Sequence, residues 1–175
     1  DRGEGQSLLE YYGIGDSFPE TERTPARVRA RLEASPPAAV AAAQARFAAG
    51  SEDTGSALAV AEVFERLWRG ELLSPSNTKL LLDRLRDGWI VSRIVAGLPP
   101  GTPVWHKTGS YGAVATHDAG IVELPDGTHL VIVVLVRQDT RDEAAGERAI
   151  VAITSAAWEF WASPTLPAEG RSNPP

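Results

Sequence analysis

Apolar side chains in this chain recur first at helical and then at strand spacing, and the change falls at Gly97-Leu98-Pro99-Pro100-Gly101. Before it, Leu58, Ala61, Val63, Phe64, Leu67 and Trp68 form a broad stripe that predicts a helix from near Asp53-Thr54 to just before Gly70. Ser74-Pro75 supplies a cap and a first-turn proline, and Leu80, Leu81, Leu82 and Leu85 follow before Gly88, predicting a second amphipathic helix. Further upstream, Thr24-Pro25 predicts a short helix over 26–33, and Ser35-Pro36-Pro37 starts an alanine-rich helix that Gly50 closes. After the glycine and proline cluster, Val104–Thr108, Thr116–Leu124 and Leu130–Arg137 read as strands, the last two joined by Pro125-Asp126-Gly127. The run Leu130–Val136 does not alternate, so both of its faces are expected to be covered. A last helix from about Arg141 to Trp161 presents Ile150, Ile153, Ala157, Trp158 and Trp161 to one sheet face. The pattern predicts an α/β fold of layered α+β kind, with antiparallel strands covered by helices on both faces.

The two ends break this pattern. Residues 1–24 show no sustained period around Leu8, Leu9, Tyr11, Tyr12 and Ile14 and read as a connector that packs locally, while residues 162–175 read as a disordered tail. The start, Asp1-Arg2-Gly3-Glu4-Gly5, resembles neither a signal peptide nor a native beginning and reads as the inside of a longer chain. Composition narrows the partners. A net charge of -6 offers no field for phosphate backbones, so nucleic acid is not expected. The Leu130–Val136 run is far shorter than the roughly 20 residues a helical membrane span needs. With no cysteine there is neither a disulfide nor a thiolate metal site, and the compartment stays open. His106, His117 and His129 lack metal-ligand spacing and read as strand or turn histidines, so neither metal nor cofactor is expected.

Lys79 and Lys107 are the only lysines, and the second stands in the one stretch whose chemistry is specific. In Trp105-His106-Lys107-Thr108-Gly109-Ser110-Tyr111, placed at a strand end, alternation directs Lys107 and Gly109 to one face and Thr108 and Ser110 to the other. A lysine supplies positive charge, a glycine admits a backbone at close range, and strand N–H groups can stabilise an oxyanion. Such an edge suits a carboxylated acyl substrate. Trp105 either lines a substrate pocket or packs on a helix, and Asp118 braces a neighbouring turn without a catalytic role.

The order of these features resembles the latter half of class A-type serine β-lactamases and penicillin-binding proteins. The resemblance runs from the Ser56–Trp68 helix through Arg69-Gly70-Glu71-Leu72-Leu73-Ser74, the leucine-rich helix and Gly97–Gly109, and on to His117-Asp118-Ala119-Gly120-Ile121-Val122 and the last helix. It covers residues 53–161, and it implies that residues 25–161 are the C-terminal portion of a layered α+β domain of the β-lactamase type. It further implies acyl transfer to a serine in an upstream Ser-x-x-Lys helix. In that scheme Lys107 is catalytic and organises charge and protons, Thr108 binds the substrate carboxylate, and Ser110 supplies a backbone N–H to the oxyanion hole. Gly109, Tyr111 and Trp105 complete the substrate-binding set.

Three departures shape the expectation. Ser76-Asn77-Thr78-Lys79 is a Ser-x-x-Lys, but it lies too close to Lys107, whereas the family separates the two elements by most of a helical domain, and Ser74-Pro75 explains it as a helix start. There is no Ser-x-Asn or Tyr-x-Asn triplet, and no Glu-x-x-Leu-Asn precedes Asp53. Where many class A enzymes carry an arginine before the strand glycine, this chain has Ala119 before Gly120, which points to weak carboxylate recognition. The expected function is therefore part of a serine acyl hydrolase or transferase acting on an ester, amide or β-lactam. Its expected partners are that small-molecule acyl substrate and an upstream segment or second chain carrying the nucleophile. An esterase, peptidase or relative associated with β-lactam biosynthesis fits better than a resistance enzyme. The rival reading is a catalytically inactive module that binds a ligand or partner through the same groove.

Overall fold

A computed structural model describes residues 9, 11–14, 24–50, 54–111, 115–137 and 143–163. The chain forms two compact units, residues 1–54 and 55–175. In the first, α1 spans Pro25–Ala34 and α2 spans Pro37–Ala49. Both begin on proline, whose fixed φ suits a first turn. Leu9, Tyr11, Ile14 and Ala43 are buried there, and Gly13 turns at φ +73° beside Ala43. Most of the expected connector and nearly all of the expected tail lie outside the described residues.

The second unit holds α3 (Ala57–Trp68), α4 (Pro75–Arg86), a 3-10 turn (Val95–Gly97), β1 (Val104–Tyr111), β2 (Ala115–Glu123), β3 (His129–Arg137) and α5 (Glu143–Trp161). The strands form one antiparallel sheet in the order β1-β2-β3. Alternation sorts the side chains into two layers. Val104, Val122, Ile132 and Val134 meet Ile94, Leu98 and Ile150 on the α5 face. Trp105, Ala119 and Ile121 meet Phe64, Leu67 and Leu85 on the face covered by α3 and α4. The fold is thus a mixed one of helices on both faces of an antiparallel sheet.

Several boundaries differ from the sequence reading. The α3 helix starts at Ala57, later than Asp53-Thr54, because Ser56 takes the cap position and accepts from the Ala59 amide at 3.1 Å. Its packed stripe is narrower than expected: Phe64 and Leu67 are buried, whereas Leu58 and Val63 stand exposed. The α4 helix likewise buries Leu85 and Thr78 and leaves Leu80 and Leu81 outside. Strand β1 continues to Tyr111, beyond the expected Thr108, because its pairing with β2 runs on to Tyr111↔Ala115. The Lys-Thr-Gly run is therefore inside the strand. In β3, Ile132 and Val134 are buried against the α5 layer while Val131 and Val133 pack on the α3 side, so both faces are covered, although Leu135 is exposed. On α5, Ile150 and Thr154 are buried and Ile153, at the stripe's margin, is half exposed.

Candidate active site

The site residues take their places from the pleat of β1. Register puts Lys107 opposite Ala119, Thr108 opposite Asp118, Gly109 opposite His117, Ser110 opposite Thr116 and Tyr111 opposite Ala115. Lys107, Gly109 and Tyr111 consequently share the α3/α4 face with Trp105, and Thr108 and Ser110 share the α5 face. Among the described residues β1 is an edge strand, paired on one side only. Lys107 and Ser110 are exposed, and Thr108, Gly109 and Tyr111 half-buried. The Lys107 ammonium donates to the Thr108 carbonyl, which holds it along the strand edge.

Trp105, by contrast, is a core residue. It is buried, meets Trp68 edge-on with ring centroids 4.9 Å apart, and lies under the Arg86 guanidinium at 5.3 Å. Of the two roles open to it, the structure shows helix packing. His129 joins this aromatic group, 4.2 Å from Trp68. Ser76 and Lys79 are likewise accounted for locally. The Ser76 hydroxyl lies 3.2 Å from that of Ser74, and the Lys79 ammonium pairs with Asp83 at 2.6 Å, one turn further along an exposed helix face.

Two residues that sequence reasoning did not assign to the site are built into it. Arg93 is buried behind β1. Its Nη1 donates to the carbonyls of Gly109 (3.0 Å) and His117 (2.9 Å), its Nη2 to the Ser110 hydroxyl (2.7 Å), and its Nε to Glu147 on α5 (3.1 Å). A buried guanidinium needs several acceptors, and here three of them border the Lys-Thr-Gly run. The only signal in the sequence was an arginine inside the apolar stretch Arg93-Ile94-Val95, which says nothing of its partners.

Asp118 is the second. It is fully buried, accepts from His106 Nδ1 at 3.0 and 3.1 Å, and accepts from the Ile94 backbone N–H at 3.0 Å. It braces a distant segment, where the sequence suggested its own turn. Neighbouring His117 is half-buried, and its Nδ1 accepts from the Val136 N–H at 3.1 Å. Burial holds His117 below the ordinary histidine value; a hydrogen bond with the Thr116 backbone opposes the shift and the charge of Arg93 adds to it. Among the described residues no group of acids and histidines is arranged to hold a metal ion, and no helix is long and apolar enough to cross a membrane.

Helices on both faces of an antiparallel sheet, with a Lys-Thr-Gly run on its edge strand, are the parts of a β-lactamase-type domain. A family model described as the beta-lactamase enzyme family matches residues 19–161, and the chain belongs to that family. The extended-spectrum beta-lactamase PER-1 of Pseudomonas aeruginosa is 32% identical over 57% of this chain and 34% of its own length. A beta-lactamase of Streptomyces cellulosae is 30% identical over 57% of this chain and 32% of its own. Among solved structures, a beta-lactamase from Chitinophaga pinensis superposes with a TM-score of 0.58 at 34% identity, covering 67% of this chain and 47% of that one. PBP-A superposes with a TM-score of 0.54 at 30% identity, covering 58% and 37%. The chain spans about a third of the length of the curated relatives it matches.

Proposed function

We propose that this chain forms one wall of the acyl-transfer site of a serine hydrolase that acts on an ester, amide or β-lactam, with the nucleophilic serine supplied by residues outside this segment. The observation that carries the reading is the Arg93 guanidinium seated on the Gly109 carbonyl and the Ser110 hydroxyl, behind an edge strand that also bears Lys107. Two cations flank a short stretch of strand, one on each face. That arrangement suits a substrate laid along the edge with its carboxylate near Thr108 and Ser110 and its carbonyl near the Ser110 peptide N–H. Arg93 supplies the positive charge that the missing arginine before Gly120 suggested was lacking, which favours carboxylate recognition. Lys107, on the other face, organises charge and protons around the incoming serine. Gly109 and Tyr111 complete the wall.

The wall alone does not turn over substrate. A preorganised oxyanion donor contributes only about 3 kcal/mol to the barrier, and the covalent step needs a nucleophile. The test is covalent labelling with a fluorescent penicillin and hydrolysis of a chromogenic ester. Both are measured on residues 1–175 alone and on a polypeptide extended by the residues encoded before Asp1. The chain alone should be inert and the extended polypeptide active. In the latter, Lys107→Ala should slow labelling at least tenfold and Ser76→Ala should leave it unchanged. Turnover by the isolated chain that Ser110→Ala abolishes would refute the placement of the nucleophile.

A further inference from the structure

We propose that Asp118 is a positioning residue of this site: its carboxylate, shared between His106 on β1 and the Ile94 backbone, fixes the segment that carries Arg93 and thereby aims the guanidinium at the Lys-Thr-Gly strand. The meaning of that aim for a substrate rests on the acyl-transfer reading; the positioning itself does not.

Asp118 and Ile94 are both fully buried. A buried carboxylate is tolerated only where donors replace its water, and three contacts do so here: His106 Nδ1 at 3.0 and 3.1 Å, and the Ile94 N–H at 3.0 Å. The Ile94 amide opens the 3-10 turn, where a backbone N–H has no partner within the turn. It also belongs to the peptide unit that begins at Arg93 Cα. Asp118 therefore holds the root of the arginine side chain, while the Gly109 and His117 carbonyls and the Ser110 hydroxyl hold its tip. An arginine otherwise loses much rotamer freedom when ordered, and fixing its root reduces what its tip contacts must offset.

The other arm of the carboxylate reaches the strand itself. His106 is the residue before Lys107 and points to the opposite face. Its ring occupies a slot defined by two missing side chains. A Cβ on Gly120 would come within 2.7 Å of His106 Cβ, and a Cβ on Gly88 within 2.8 Å of His106 Nε2. A carboxylate can only accept, so the hydrogen between the two residues lies on His106 Nδ1. One buried acid thus couples the strand bearing Lys107 to the segment bearing Arg93.

The experiment is nuclear magnetic resonance on the 175-residue chain, following three signals: Arg93 Nε–H exchange, the His106 ring nitrogens, and the Trp68 and Trp105 indoles on the other face. In Asp118→Ala the Arg93 Nε–H should exchange at least tenfold faster and its resonance move toward that of free arginine, with the indole signals kept. Asp118→Asn has one acceptor oxygen and one amide. Its oxygen, in the place of Oδ2, can accept from both the Ile94 N–H and His106 Nδ1–H, so Arg93 should stay protected with the Ile94 hydrogen bond kept. Arg93 exchange unchanged in a folded Asp118→Ala overturns the proposal. Should the alanine variant unfold, the asparagine variant decides, and Arg93 Nε–H exchanging at least tenfold faster while the Ile94 amide stays protected overturns the proposal. Titration with benzylpenicillin separates the two readings. Binding weakened at least tenfold by both Asp118→Ala and Arg93→Ala supports positioning of a carboxylate site. No binding by the polypeptide extended upstream, with the Arg93 signals responding as described, removes the substrate reading and leaves the positioning intact. Binding that Arg93→Ala weakens and a folded Asp118→Ala does not overturns the positioning.

Discussion

His117 stands opposite Gly109 on β2 with its Nδ1 accepting the Val136 amide, a role that only the neutral ring can fill. Its pKa is lowered from the ordinary 6.5, chiefly by burial. The sign follows directly: the unfolded chain binds the proton more readily, so the contribution of His117 to stability is complete above pH 6.5 and is lost as pH falls through the lower folded value. Urea unfolding midpoints should therefore drop on acidification below pH 6.5, and His117→Gln should flatten that dependence. An unchanged slope in the variant would assign the effect to other groups. The sequence names His117, Asp118 and Arg93, but their roles arise from which carbonyls and amides the sheet brings to them. No spacing encodes that.

At the scale of elements, caps and punctuation were legible and packed faces only in part. Ser56 and Ser74 each accept from a first-turn amide, so two helix starts rest on local hydrogen bonds that a sequence displays. Ser56→Ala should cost about 1 kcal/mol, seen as a lower urea midpoint without a change of slope. A shift well below half that size would show that α3 is held by Phe64 and Leu67 packing alone. Where the apolar pattern was broad, the pattern did not say which side chains would find a neighbour. Leu58, Leu80, Leu81 and Ile153 carry helical periodicity as well as Phe64 and Leu85 do, yet they face outward. Strand β1 outran its expected end because partners in β2, and not its own composition, carry the ladder through Gly109 and Ser110.

Across the whole molecule, large apolar side chains stand in water. Trp89 is 89% exposed and Leu58 80%, and Val63, Leu80 and Val91 are each more than half exposed. Extensive exposed apolar surface favours association. Residues 1–175 should therefore self-associate as concentration rises, by sedimentation or light scattering, and a polypeptide extended upstream should do so less. A chain that stays monomeric at high concentration would show that this surface does not need covering. The prediction agrees with a chain that spans about a third of the curated relatives it matches.

By itself the sequence determined the succession of helices and strands, the antiparallel turn at Pro125-Asp126-Gly127, the two-sided covering of the sheet and the strand that bears Lys107. Each depends on neighbours within a few residues, through periodicity, capping or turn chemistry. The tertiary structure decided that Trp105 belongs to the core, that Arg93 lies behind Gly109 and Ser110, and that Asp118 joins His106 to Ile94. These contacts link positions far apart in the chain, and a buried charge selects its partners from whatever donors and acceptors the packed layers leave unsatisfied.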